Sequence, residues 1–196
     1  MSTPASPARL QADATTVLVV DVQEKLMPKI HGGDAVIRNI AFLLDACKIL
    51  GVPAAATEQY PKGLGATVSE IARRLPSPLP SKLAFSCCGS PEFMKSLAAS
   101  GRPTVLVVGI ETHVCVLNTV LDLLAQGLSV FIAVDAISCR SPIDHDVAVR
   151  RMELAGAIPC TVEAAVFEFT RIAGTPTFKE ISLLVQERMK SLAEAK

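Results

Sequence analysis

Apolar residues along this chain fall into two alternating patterns. Short and nearly continuous apolar runs alternate with longer segments in which apolar residues recur every three or four positions. The first pattern predicts strands and the second predicts amphipathic helices. The predicted strands are residues 15–22, 52–57, 82–86, 104–108, 128–134 and 158–162. The predicted helices are residues 34–50, 67–75, 90–100, 112–126, 143–155, 163–172 and 177–193.

The order of these elements predicts the fold class. A strand that is apolar at nearly every position is buried on both faces, as in a parallel sheet with helices on each side. We therefore expect an α/β protein, a three-layer α/β/α Rossmann-like sandwich around a six-stranded parallel sheet. Ligands of such sheets bind beyond the carboxyl ends of the strands, where the strand order reverses.

Length and composition predict a single folded domain. The chain has 196 residues, of which 50% are hydrophobic and 19% are charged, as in a globular protein with a large core. We assign residues 15–196 to one domain and residues 1–14 to a flexible N-terminal lead. This lead has one basic residue and no apolar stretch, so we expect no secretory signal. Uninterrupted apolar runs such as residues 17–20 are too short to span a membrane.

Charge and cysteine content exclude several classes of partner. Nineteen basic and nineteen acidic side chains leave no net charge, so we expect neither nucleic acid nor an anionic membrane as a partner. The six cysteines include no Cys-x-x-Cys pair, and a chain of this size needs no disulfides. We therefore expect free thiols and a cytoplasmic location.

Three motifs that are common on this fold are missing from the sequence. No Gly-x-Gly-x-x-Gly follows the first strand, where the chain reads Asp21-Val22-Gln23-Glu24. A Walker phosphate loop and a Gly-x-Ser-x-Gly nucleophile elbow are also missing. These observations argue against a dinucleotide-binding enzyme and against a serine α/β-hydrolase.

The cysteine at position 115 is a candidate nucleophile. Cys115 follows the clearest predicted strand by seven residues and falls in the first turn of the next predicted helix. Backbone N–H groups at a helix N-terminus stabilise a thiolate and could also bind an oxyanion. The alternative is that Cys115 is a small buried apolar residue, like most free cysteines.

Two charged residues lie at other predicted strand ends. Asp21 lies near the end of the first strand, and Lys82 begins the third. Each has a simpler interpretation: Asp21 as a turn or capping residue, and Lys82 as a surface lysine. Together with Cys115, however, they form a set in which a carboxylate could accept the thiol proton while an amine favours the ionised pair.

Four segments in order resemble one protein family. They are Asp21-Val22-Gln23, residues 57–65 (TEQYPKGLG), Lys82 with Phe85-Ser86, and residues 109–116 (GIETHVCV). This pattern resembles the isochorismatase-like cysteine hydrolases, and residues 57–65 are most similar to the isochorismatase domain-containing proteins. The resemblance extends from about residue 15 to the last predicted helix.

The resemblance implies a catalytic triad of Asp21, Lys82 and Cys115. It also implies a cis peptide bond between Ile110 and Glu111, which would direct backbone N–H groups towards an oxyanion. The implied activity is that of a metal-independent cysteine hydrolase, which cleaves an amide or carbamoyl C–N bond of a small molecule through a thioester. Gln23, Glu58, Gln59 and Tyr60 would then line the substrate pocket.

The sequence departs from two branches of this family. Nicotinamidases bind a divalent metal through an Asp-x-His motif and a further histidine, whereas this chain reads Thr57-Glu58-Gln59-Tyr60 in that region. We therefore expect no metal and no cofactor, and do not expect nicotinamide as the substrate. Isochorismatases that cleave a vinyl ether do not use the nucleophilic cysteine, which this chain retains.

Weaker signals come from four other places. His113 lies two residues before Cys115, but side chains two apart on a helix point in different directions. Cys87-Cys88 is expected to be local packing, and Asp135 to accept hydrogen bonds from loop N–H groups. Arg140 could bind a substrate carboxylate.

The expected partners are a small-molecule substrate and further copies of the chain. We expect a homo-oligomer because the family resemblance suggests self-association and because residues 114–124 are more apolar than one helix face requires. The alternative to an enzyme is an inactive isochorismatase-like fold that serves as an interaction protein. A flavodoxin-like cofactor binder is a third possibility.

Overall fold

The computed structural model describes residues 9–194, which contain six strands. These are β1 (Thr15–Val20), β2 (Ala54–Gln59), β3 (Ser81–Lys82), β4 (Thr104–Ile110), β5 (Ser129–Ser138) and β6 (Ile158–Cys160). All six pair in parallel in the order β3-β2-β1-β4-β5-β6. The strand order therefore reverses between β1 and β4. The predicted six-stranded parallel sheet is confirmed.

Eight α-helices lie between and after these strands within the described residues. They are α1 (Gly33–Leu50), α2 (Pro61–Leu64), α3 (Ser69–Ala72), α4 (Pro91–Ser100), α5 (Leu117–Ala125), α6 (Pro142–Leu154), α7 (Val162–Thr170) and α8 (Pro176–Glu194). A five-residue π-helical turn, Thr112–Val116, leads directly into α5. Shorter 3₁₀ turns occupy Met27–Lys29 and Cys87–Gly89.

The sheet separates two hydrophobic cores, which makes the fold a three-layer sandwich. Alternate residues of β1 point into opposite cores, with Val17 and Val19 on one face and Leu18 and Val20 on the other. The first core packs against α1, α7 and α8, and the second packs against α4, α5 and α6. Burial on both faces explains why the strands are apolar at successive positions.

Three predicted elements differ from the observed ones for identifiable reasons. The predicted helix 67–75 shrinks to α3, because Thr67 hydrogen-bonds to Glu58 instead of capping a helix. The predicted strand 82–86 shrinks to β3, an edge strand that pairs with β2 over two residues. Strand β5 extends beyond the predicted 128–134 through an irregular stretch opposite Gly109.

The predicted N-terminal lead is partly integrated into the fold. Residues 1–8 lie outside the described residues. Leu10, however, is fully buried in the first core, and its N–H donates a hydrogen bond to Glu168 (2.8 Å). The assignment of the whole stretch 1–14 to a flexible lead is therefore wrong at Leu10. No helix within residues 9–194 is long and apolar enough to cross a bilayer.

Candidate active site

Residues from three strand ends meet at the point where the strand order reverses. Asp21 follows β1, Lys82 ends β3, and Cys115 lies in the π-helical turn after β4. The carboxyl ends of parallel strands share one edge of the sheet, so the three residues lie at that edge. This is the region in which doubly wound sheets bind their ligands.

Asp21 and Lys82 form a buried ion pair. Lys82 Nζ lies 2.6 Å from Asp21 Oδ2, and neither side chain is exposed to solvent. The other carboxylate oxygen, Oδ1, accepts a hydrogen bond from Thr57 Oγ1 at 2.8 Å. Both oxygens of Asp21 therefore have a proton donor, which fixes the orientation of the carboxylate. Asp21 itself has a φ of +50°, which is uncommon for a residue with a side chain and turns the chain out of β1.

The Lys82 ammonium is surrounded by acceptors. Besides Asp21, it donates to Gln59 Oε1 at 2.9 Å, to the carbonyl of Phe85 at 3.0 Å and to that of Ala84 at 3.3 Å. An ammonium has three protons, so these four acceptors occupy all of its donors. Lys82 therefore holds Asp21 and supplies a positive charge, but has no free proton for direct contact with a ligand.

Burial controls the protonation of the site. It raises the pKa of the Asp21 carboxyl, and the charge and hydrogen bond of Lys82 offset only part of this increase. It also raises the pKa of the Cys115 thiol, and the negative charge of Asp21 raises it further. Desolvation and the charge of Asp21 therefore oppose the resting thiolate that the helix N-terminus would favour, and Lys82 offsets only part of their effect. The resting Cys115 thiol is therefore neutral.

The π-helical turn positions Cys115. The N–H of Val116 bonds to the carbonyl of Glu111, five residues earlier, at 3.2 Å. The peptide bond between Ile110 and Glu111 is cis. Glu111 is buried, and its Oε2 accepts hydrogen bonds from Arg140 Nε (2.9 Å) and from the Arg140 N–H (3.2 Å). Arg140 thus binds a carboxylate, but that carboxylate belongs to this chain.

Three of the four predicted pocket residues brace the loops around the site. Gln23 is fully buried, donates from Nε2 to the carbonyls of Gln59 and Gly65, and accepts the Gln59 N–H. Glu58 Oε1 accepts both the N–H and the hydroxyl of Thr67. Gln59 accepts from Lys82 and donates to the carbonyl of Leu83. Both amide protons of Gln23 are used within this fully buried network, which contradicts a pocket-lining position for Gln23. Glu58 and Gln59 are partly exposed and also bind neighbouring loops, so their place in a pocket stays a prediction.

Tyr60 is the predicted pocket residue that presents an exposed side chain. It is half exposed and has a φ of +36°, and its ring packs over Gly63, where a Cβ would lie 2.5 Å from the ring. Leu83 and Phe85, which follow Lys82 in the chain, are also exposed. The rim of the site is therefore apolar on the side of β2 and β3.

Sequence reasoning missed two neighbours of Asp21. Thr57 ends one predicted strand and carries no motif that separates it from other strand-end threonines. Cys87, expected to be local packing, is fully buried with its Sγ 3.2 Å from Thr57 Oγ1. Since the Thr57 hydroxyl donates to Asp21, it accepts from the Cys87 thiol. Burial raises the pKa of that thiol to about 11, which keeps it protonated.

The remaining candidates lie outside this hydrogen-bonded set. His113 is partly buried and its Nδ1 has no partner among the described residues. Asp135 accepts the N–H of Val162 at the start of α7 (2.9 Å), as expected for an acid that satisfies loop N–H groups. Within residues 9–194, no three His, Cys, Asp or Glu side chains are grouped so that they could hold a metal ion.

The fold and the position of the polar cluster define a doubly wound α/β protein with a site at the sheet's switch point. A family model described as the isochorismatase domain matches residues 15–164. The chain therefore belongs to the isochorismatase family and has the hydrolase fold of that family.

Relatives and solved structures extend over nearly the whole chain. It is 40% identical over 184 residues to isochorismatase domain-containing protein 2A of Mus musculus, covering 93% of this chain and 88% of the mouse protein. The solved structure of a MAR1 ribonuclease from Caenorhabditis elegans is 40% identical, with a TM-score of 0.85 over 91% of this chain and 93% of that chain. YcaC of Escherichia coli, described as an octameric hydrolase of unknown specificity, shares the fold at 24% identity. Its TM-score is 0.85, over 98% of this chain and 100% of that chain.

Proposed function

We propose that this protein is a metal-independent cysteine hydrolase that cleaves an amide or carbamoyl C–N bond of a small molecule. The observation that carries the proposal is the buried Asp21–Lys82 ion pair beside the Cys115 thiol at the switch point of the sheet. A buried charge pair in water-excluded surroundings is costly unless it is well paired, and such groups concentrate at functional sites. Membership of the isochorismatase family supports a hydrolytic reaction.

The first half of the reaction uses Asp21 as a general base. Asp21 accepts the proton of Cys115 as the sulfur attacks the substrate carbonyl carbon, because the resting thiol is neutral. The backbone N–H of Cys115 holds the oxygen that becomes negative, since those of Val114 and Val116 donate to the carbonyl of Glu111. The C–N bond then breaks, and the proton on Asp21 transfers to the departing nitrogen. A carboxyl with a raised pKa suits this return of the proton.

The second half hydrolyses the thioester. Asp21, again ionised, accepts a proton from water as the water oxygen attacks the carbonyl carbon. The carbon–sulfur bond breaks, the acid leaves, and the proton returns to the Cys115 sulfur. Lys82 keeps the carboxylate in place throughout, since its donors are fully used. Tyr60 at the rim is the side chain we assign to substrate contact.

The proposal is tested by covalent trapping and by ammonia release. p-Nitrophenyl acetate should acylate Cys115, as identified by peptide mass spectrometry, and small amides, ureas and carbamoyl amino acids should be screened for ammonia release. Cys115→Ala should abolish both signals. Cys47→Ala, which changes a buried thiol in the other core, should leave both intact. Acylation elsewhere, or turnover that persists in Cys115→Ala, would overturn the mechanism.

The inactive interaction protein is the alternative that the same experiment addresses. Such a protein would neither acylate at Cys115 nor release ammonia from any probe. Its cellular function would also survive the Cys115→Ala change. The complete set of hydrogen bonds around Asp21 and Lys82 favours the enzyme.

Ribonuclease activity is a second candidate, favoured by the C. elegans relative described as a ribonuclease. The absence of net charge and the fully occupied Lys82 ammonium argue against it, because RNA binding relies on accessible cations. A labelled RNA should therefore remain intact. RNA cleavage that is lost in Cys115→Ala, without ammonia release, would replace the amidohydrolase proposal.

We also propose a reducing compartment, such as the cytoplasm, and a homo-oligomer. None of the six cysteines, all within the described residues, is in a disulfide, which suits a reducing environment. The octameric state described for E. coli YcaC supports self-association. Within residues 114–124, burial of Leu117, Val120 and Leu123 in the second core accounts for part of the apolar character of this stretch.

A further inference from the structure

Helix α6 presents a row of apolar side chains to solvent. Ile143 is 67% exposed, Val147 is 59% exposed and Leu154 is 80% exposed. Spacings of four and seven residues place the three on one face of an α-helix. The opposite face holds Ala148 and Met152, which are buried in the second core. The row is therefore the outward face of α6, where exposed apolar side chains mark a contact surface.

Five exposed charged residues of α6 flank this row, and four of them, all but Glu153, form a regular arrangement. The acidic residues Asp144 and Asp146 lie in the first half of α6, and the basic residues Arg150 and Arg151 lie in the second half. At 100° per residue, Asp144 and Arg151 fall on one side of the row, and Asp146 and Arg150 on the other. All four are exposed, and none forms an ion pair with another residue of the described chain.

The charged and apolar residues of α6 are complementary to those of a second α6 that runs antiparallel to it. In a two-fold interface, a residue i that contacts j of the partner is matched by j contacting i. Two antiparallel copies of α6 would pair Asp144 with Arg151, Asp146 with Arg150, and Ile143 with Leu154. Each of these pairs is centred within about half a residue of position 148, so one axis serves all three. Val147 lies beside that axis.

We propose that a second copy of this chain docks on α6 through its own α6, antiparallel, across a two-fold axis near position 148. The apolar rows are buried at the centre, and Asp144 and Asp146 of each helix lie against Arg151 and Arg150 of the other. A single helix pair is smaller than a standard interface of about 1,600 Å², so the dimer dissociates measurably on dilution.

The interface lies beside the candidate active site. Helix α6 begins two residues after Arg140, and His145 Nδ1 lies 3.0 Å from Thr112 Oγ1, at the start of the turn that carries Cys115. The dimer rests on the surface of α6 alone, so its test is independent of the proposed reaction.

Charge reversal across the axis gives the decisive test. Sedimentation velocity over a dilution series should show wild-type dimers that dissociate. Asp144→Arg and Arg151→Asp should each weaken the dimer at least about tenfold, because each places like charges together. The double variant Asp144→Arg/Arg151→Asp should recover wild-type affinity to within about threefold, because the pair is restored with opposite signs. Thermal unfolding of each variant controls for folding.

Three outcomes would overturn the proposal. They are a wild-type monomer at all concentrations, single reversals that leave self-association unchanged, and a double variant that dimerises no better than the single variants.

Disulfide cross-linking gives an independent check of the axis. Val147→Cys, treated with diamide, should form dimers linked through position 147 in both copies, as read from peptide masses. Leu83→Cys, exposed at the site rim, is the matched control and should not link. Equal linking of both variants would contradict the axis.

Discussion

Asp21 and Lys82 are charged side chains with no exposed surface, so each depends on the other. Removing one member of a buried pair leaves an uncompensated charge, which typically costs about 3–5 kcal/mol, whereas removing both is often nearly neutral. We expect Asp21→Asn and Lys82→Met each to lower the free energy of unfolding by about that much. The double variant should lose clearly less than the sum.

Urea unfolding of the three variants measures this coupling. Arg73→Gln is the matched surface control, because the ion pair of Arg73 with Glu70 is largely exposed and should cost less than about 1 kcal/mol. If the Asp21 and Lys82 effects simply add, the pair is not the unit that the geometry indicates.

The sequence predicted which residues gather at the candidate site, but not which partners their side chains bind. Asp21, Lys82 and Cys115 could be selected because charged and nucleophilic residues at strand ends converge in a parallel sheet. Gln23 and Glu58 could not be placed, because whether such a side chain faces a ligand or a neighbouring loop depends on the path of residues 59–67. The raised pKa of Cys115 depends on burial, which no local pattern reveals.

The contact between β1 and β4 just below the site depends on a missing side chain. Gly109 has a φ of +113°, and a Cβ there would clash with the carbonyl oxygen of Val20. Gly109→Ala should therefore lower the free energy of unfolding by about 3 kcal/mol or more, through the clash and the unfavourable φ together. Chemical denaturation provides the measurement.

Gly156→Ala isolates the backbone contribution. Gly156 has a similar φ of +109°, but nothing lies within 4 Å of its Cβ position. Gly156→Ala should therefore lower the free energy of unfolding only through the unfavourable φ, by about 1–2 kcal/mol. If Gly109→Ala and Gly156→Ala lowered the free energy of unfolding equally, β4 would not lie in tight contact with Val20.

Elements with strong local signals were predicted well, and those set by tertiary contacts were not. Strand β4 and helix α1 follow from continuous or periodic apolar residues and, for α1, from Gly51, which caps it in a left-handed conformation. Helix α3 is shorter than its pattern because Thr67 is recruited by Glu58, nine residues earlier. The extension of β5 reflects its pairing with β4 rather than its own composition.

Across the whole molecule, buried thiols predict how stability changes at alkaline pH. Burial raises the pKa of Cys47 and of Cys160 to about 12, and that of Cys87 to about 11, from an ordinary value of 9.0. Above pH 9 the unfolded chain releases these protons while the folded chain keeps them. The free energy of unfolding must therefore fall as pH rises from 9 towards 11–12, by about 1.4 kcal/mol per pH unit for each thiol.

Urea unfolding between about pH 8 and pH 10.5 tests this slope. Cys47→Ala should be less stable than wild type at pH 8 but lose stability less steeply above pH 9. Leu44→Ala, a neighbouring buried change in α1 without a titrating group, should keep the wild-type slope. An unchanged slope in Cys47→Ala would mean that this thiol ionises as easily in the folded chain as in the unfolded one.

The π-helical turn at Thr112–Val116 has a consequence for transplanting this site. Its hydrogen bonds close over five residues instead of four, so it accommodates a residue that an α-helical turn would exclude. Since each helical residue adds about 100° of rotation, that extra residue sets the direction of the Cys115 sulfur separately from the packing of α5. An engineered protein that copied Asp21, Lys82 and Cys115 but placed Cys115 on a regular α-helix would direct its sulfur away from Asp21. A transplanted site therefore has to include the π-helical turn as well.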